Sequence, residues 1–178
     1  MHEAATGLSA WESFYVIVGS SGGALIGLQF VVMTLIAESR LRTQGGALGA
    51  FGAPTIVHLT GALVVSAIMS APWPSLGSVS IALGICGLGG LTYSTIVVRR
   101  ALRQTDYEPV WQDWVWFFAL PCIAYLALLF DAAFLRGHDP ITLFIAAAVA
   151  LGLLLIGVHN AWDSVMHVVT AGRATKED

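Results

Sequence analysis

The side chains able to do chemistry are few, and most lie inside long apolar stretches. The densest group is His159-Asn160-Ala161-Trp162-Asp163-Ser164-Val165-Met166-His167. His159, Asp163 and His167 follow at i, i+4 and i+8, so on a helix they line one face. An imidazole and a carboxylate one turn apart can share a metal ion, which makes His159 and Asp163 the candidate metal ligands. Zinc takes four ligands in a tetrahedron. His167 is two turns from His159, so a complete site needs donors from other helices or subunits, with Asp113 the nearest match in depth. Without a metal, the group reads as a hydrated helix end or a docking face.

His58 is central in a second apolar stretch, beside Pro54, Thr55 and Thr60. A neutral histidine there bonds to a neighbouring helix or acts as a proton relay or gate. Pro54 frees a backbone carbonyl one turn earlier, which the threonines can help to satisfy. Gln29 can donate and accept between helices. Asp131 follows a long apolar run; it is expected to snorkel, to pair with Arg136, or to join Glu12 in a polar vestibule. Ionisable groups at membrane depth cost roughly 2.5–3.5 kcal/mol each, so they are expected to face protein or water and not lipid.

Several chemistries are disfavoured by pattern. A bis-histidine haem from His58 and His159 needs matched depths, whereas the two are offset by on the order of 15 Å along their helices. No phosphate loop and no Gly-x-Ser-x-Gly elbow is present. Cys86 and Cys122 sit in apolar runs and read as small core residues. No catalytic residue is assigned and no cofactor is expected. Nothing resembles a basic patch for nucleic acid.

The elements that carry these groups are membrane helices. Hydrophobic residues make up 57% of the 178 residues and charged residues 11%, against about 25% charged in soluble domains. Too few charges remain to cover a water-facing surface. A spanning helix needs about 20 apolar residues, and five segments qualify, at about 14–36, 47–69, 76–98, 111–135 and 141–169. The fold class is therefore all-α, a polytopic transmembrane helix bundle forming one transmembrane domain over 1–178. No basic region precedes the first apolar run, so the first helix is expected to direct its own insertion.

Basic residues set the orientation. With the N-terminus outside and the C-terminus cytoplasmic, seven of eight fall on the inner side: Arg40, Arg42, Arg99, Arg100, Arg103, Arg173 and Lys176. Trp11, Tyr15 and Trp73 then anchor the outer interface, and Tyr107, Trp111, Trp114, Trp116 and Trp162 the inner one.

Gly19, Gly23 and Gly27 recur every fourth residue, with Ser20, Ser21 and Gly22 beside them. Such a glycine zipper lets a second backbone approach closely, and it predicts a central first span and a homo-oligomer. Short loops favour a bacterial inner (plasma) membrane. The leading functional expectation is an oligomeric channel or transport protein. It rests on the graded series Glu12 and Asp131 outside, His58 and Gln29 within, and Asp163 and His159 inside; an acidic lining favours cations. The alternatives are a regulatory or assembly subunit that docks a membrane partner through its inner face, and a membrane-embedded metal or redox protein.

Overall fold

A computed structural model of the chain describes residues 8–38, 45–102, 111–137 and 140–177, with side chains over 8–34, 54–102, 111–137 and 140–166. The side chain of His167 lies outside this set, as do those of Arg40, Arg42, Arg103, Tyr107, Arg173 and Lys176. Of the described residues, 94% are helical and none is in a strand. Helix α1 runs over Glu12–Glu38, α2 over Gly45–Ser70 and α3 over Leu76–Ala101. Helix α4 occupies Trp111–Gly137 and α5 Pro140–Glu177.

Four of these, α1, α3, α4 and α5, are long and apolar enough to cross a membrane; the part of α2 whose side chains are described, Pro54–Ser70, is a shorter apolar helix. A helix of 26 residues is about 39 Å long at 1.5 Å per residue. This exceeds the roughly 30 Å hydrocarbon core of a bilayer. The outward faces are apolar too: Ile17, Phe30, Ile85, Leu88, Phe130 and Phe144 all project from the bundle. In water a surface of that kind associates; in lipid it is the solvated one. These features are compatible with an integral membrane protein.

Local signals explain the helix ends. Pro72 and Pro74 lie in the break between α2 and α3. The Trp73 indole Nε1 donates to the Ile68 carbonyl and so caps α2. Ser75 caps α3, its hydroxyl accepting from the Ser78 N–H at 3.3 Å. Arg99 and Arg100 occupy the last turn of α3, where cations suit the helix dipole. Pro140 opens α5, where its missing N–H costs nothing. Helix α4 is less regular: Trp114–Ala119 form a π-helical turn just before Pro121, which cannot donate a backbone hydrogen bond.

Successive helices run antiparallel. The most extensive interface is that of α2 with α5, followed by α1 with α2 and α3 with α4. Helices α2, α3, α4 and α5 surround a common axis, and α1 lies in the groove between α2 and α5. The expected central position of the first span is therefore corrected. Half of the α5 span is buried and little of α1 is; the two helices at the centre are α2 and α5.

The glycine expectation is corrected in part. A side chain at Gly19 would meet the Ser66 Cβ at 3.0 Å, and one at Gly22 the Leu59 carbonyl at 3.3 Å. At Gly23 the nearest atom is 3.8 Å away, and at Gly27 nothing lies within 4 Å. Each i+4 step advances about 40° around a helix of 3.6 residues per turn. Three glycines at that spacing therefore spiral off the contact face. The buried face of α1 follows Tyr15, Val18, Gly22 and Gln29, and Gly22 makes the close approach that Gly27 was expected to share.

Candidate functional site

Tyr125 of α4 fills the common axis. Its ring lies where a side chain on Gly90 of α3 would be, 2.1 Å from that position, and its hydroxyl is 2.9 Å from the corresponding position on Gly61 of α2. Leu153 of α5 packs against Gly61 from the other side. Two glycines thus shape the slot: a Cβ on Gly90 would occupy the volume of the ring, and one on Gly61 would crowd its hydroxyl. The Tyr125 hydroxyl shares a hydrogen bond with His58 Nδ1 at 3.3 Å, and both side chains are buried. His58 is accordingly a partnered interior group, held by a neighbouring helix.

One to two turns toward the Trp11 end, the axis is apolar and closed. Ala62, Val65, Leu83, Leu128 and Ala150 are all fully buried there. Beyond this plug lies Asp131, six residues past Tyr125 and so about 9 Å along α4. It is 0% exposed, and neither carboxylate oxygen has a hydrogen-bond partner. Tyr15 of α1 is within electrostatic reach, its own hydroxyl directed at the Leu143 carbonyl at 3.5 Å. Nearby, Ser80 donates to the Ala132 carbonyl, and the buried hydroxyl of Ser66 has no partner.

These positions correct four expectations. Asp131 does not snorkel, since it is sealed, and it does not pair with the exposed Arg136. Glu12 is exposed at the start of α1 and shares no lining with Asp131. Tyr15 is buried at 1% exposure and so is no interfacial anchor, whereas Trp11 packs edge-on against Phe144 with ring centroids 4.7 Å apart.

Toward the Trp162 end the axis turns polar. The register is fixed by contacts between Gly157 and Leu59, and between Gly90 and Tyr125. Following these helices inward brings Thr55 of α2, Ser94 of α3, Pro121 of α4 and Asn160 of α5 to one level. Gln29 of α1 arrives there too, from the Gly19–Ser66 and Gly22–Leu59 contacts. All five are buried. Asn160 is 0% exposed, and both its amide atoms are without partners. Ser94 is 2% exposed and its hydroxyl is likewise unpartnered.

The HNAWD stretch divides by helix face. Asn160 turns inward. The His159 ring stacks on Trp116 of the π-helical turn, with centroids 3.8 Å apart and planes inclined by 19°. Asp163 and Trp162 are exposed, while Asp113 is buried. Among the described residues no group of three His, Cys, Asp or Glu side chains could hold a metal ion. Exposed Trp111 and Trp162 suit a membrane–water interface.

Sequence reasoning missed Tyr125, Ser94, Gly61 and Gly157. For Ser94 a signal existed: Ser80, Leu83, Gly87, Gly90 and Ser94 follow at steps of three and four along one face of α3. Tyr125 carried none, being a single hydroxyl in an apolar run. No family model, curated protein or solved structure matches the chain.

Proposed function

We propose that the chain is a small five-span transport protein of a bacterial inner membrane, N-terminus outside, acting as a homo-oligomer and moving a small cation, for which the proton is the best fit. Asp131 is the observation that carries this reading. A carboxyl group wholly enclosed among apolar helices, with no arginine, lysine or hydrogen-bond donor on it among the described residues, is a cost to the bundle and not a support. Desolvating an unpaired carboxyl costs several kcal/mol, and intramembrane acids of this kind are typical of ion and proton pathways. The closed axis favours the proton over hydrated cations, since a proton can be carried on the Asp131 carboxyl itself and needs no hydrated pore. Helix α2 counts as the fifth span because its 26 residues are long enough to cross. The distribution of basic residues supports the orientation.

The test is proton flux into proteoliposomes carrying a trapped pH-sensitive dye, driven by a potassium diffusion potential. Native protein is expected to acidify the lumen. Asp131→Asn is expected to lower the rate at least tenfold with unchanged melting temperature. Native protein that passes neither protons nor sodium or potassium would remove the transport reading. The exposed Trp162 and Asp163 support a second reading, a docking subunit. Under that reading a partner co-purifies and is lost in Trp162→Ala and Asp163→Ala variants.

A further inference from the structure

We propose that the axis of the four-helix core holds water at the Asn160 level, bound between Asn160, Ser94 and His58 and stopping at the Tyr125 ring. The starting point is a hydrogen-bond deficit. The Asn160 amide offers two N–H donors and an acceptor oxygen, all at full burial, and the structure gives none of them a partner. The Ser94 hydroxyl, brought to the same level by the register of α3 on α4, is also unpartnered. Buried polar groups in folded proteins are almost always bonded to protein or to ordered water. Two orphans at one level therefore point to a third species between them.

The donor set selects that species. Asn160, Ser94, Thr55, Gln29 and the His58 imidazole are side chains that both donate and accept, and among the described residues no carboxylate, lysine or arginine is buried with them in this layer. A cation would find no counter-charge, and an anion would find no cation. Water matches, because one molecule can accept from the Asn160 N–H and the Ser94 O–H and still donate twice. Side-chain size agrees as well. Leu83, Leu128 and Leu153 fill the axis toward the Trp11 end, whereas serine, threonine and proline border it here. The Tyr125 ring divides the two halves, so His58 is within reach of this water and Asp131 is not. The inference is independent of transport: a regulatory subunit with this interior would be hydrated in the same way.

The test exploits the fact that Asn160 is the only asparagine in the chain. Protein labelled with ¹⁵N-asparagine and ¹⁵N-glutamine and reconstituted in lipid bilayers gives a single asparagine side-chain amide pair in magic-angle-spinning NMR, with the exposed Gln112 amide as an interfacial reference. In a water-edited spectrum at short mixing time, that amide is expected to appear with an intensity comparable to interfacial amides. Ser94→Val, which replaces the hydroxyl with methyl groups, is expected to abolish most of the transfer; Ser94→Ala is expected to weaken it. An Asn160 amide that stays dark in native protein while interfacial amides light up would overturn the proposal. So would a transfer left unchanged by both Ser94 variants, since the site would then not be shared. Proton flux measured on the same samples reads the transport proposal separately.

Discussion

Gly90 and Gly27 show how differently the same residue can serve in one bundle. A methyl on Gly90 would lie inside the Tyr125 ring, whereas a methyl on Gly27 would meet nothing. Overpacking a fitted core costs about 1–3 kcal/mol. Gly90→Ala is therefore expected to lower stability by about that amount, measured by reversible unfolding in mixed micelles. Gly27→Ala is expected to be neutral or to stabilise by up to about 1 kcal/mol, since alanine is the better helix former. An equal response from both would contradict the assignment of Tyr125 to the slot. At this scale the sequence was only half legible. His58, Asp131 and Gln29 stood out as polar residues in apolar runs, and all three are interior groups; Asn160, read as part of a hydrated helix end, is interior instead. Their surroundings did not show, because whether an aspartate is sealed or snorkels depends on the helices that come to cover it.

At the scale of elements, the length of apolar runs was a good guide to where helices run, and the spacing of the glycines a poor guide to which face packs. Each of the five spans read from the sequence lies within one helix. The contact stripe on α1, by contrast, follows a mixture of three- and four-residue steps, which a regular spacing of four obscures. Gly22 is the hinge of that difference. Gly22→Leu is expected to push α1 off the Leu59 carbonyl and to cost about 1–3 kcal/mol. Gly23→Leu, whose nearest neighbour is the movable end of Leu63, is expected to cost less. Thermal unfolding followed by circular dichroism checks the ordering. Helix α4 holds the other lesson of this scale. Its π-helical turn could not be read from Trp114–Ala119, since the same residues fit an ordinary α-helix; the wider turn presents Trp116 to His159.

For the whole molecule, the charge distribution predicts an outcome that the fold does not decide. A reporter active only in the cytoplasm is expected to work when fused after α5 or between α3 and α4, and to fail between α2 and α3 or between α4 and α5. The inverse pattern would reverse the orientation and, with it, the side from which Asn160 is hydrated. The all-helical class was legible from composition and segment length together, because so few charges point to lipid and apolar runs of about 20 residues fit a spanning helix. The arrangement was not, because apolar sequence says that a helix is covered by something without saying by what. The broad interface of α2 with α5 then bears on biogenesis. On the five-span topology proposed above, helix α2, with His58 and Thr55 on its buried face, enters the bilayer ahead of α5, the helix that completes its cover. Assembly of this bundle is therefore a waiting process: chains truncated before α5 leave an early helix with its polar side toward lipid, a form open to membrane quality-control proteases.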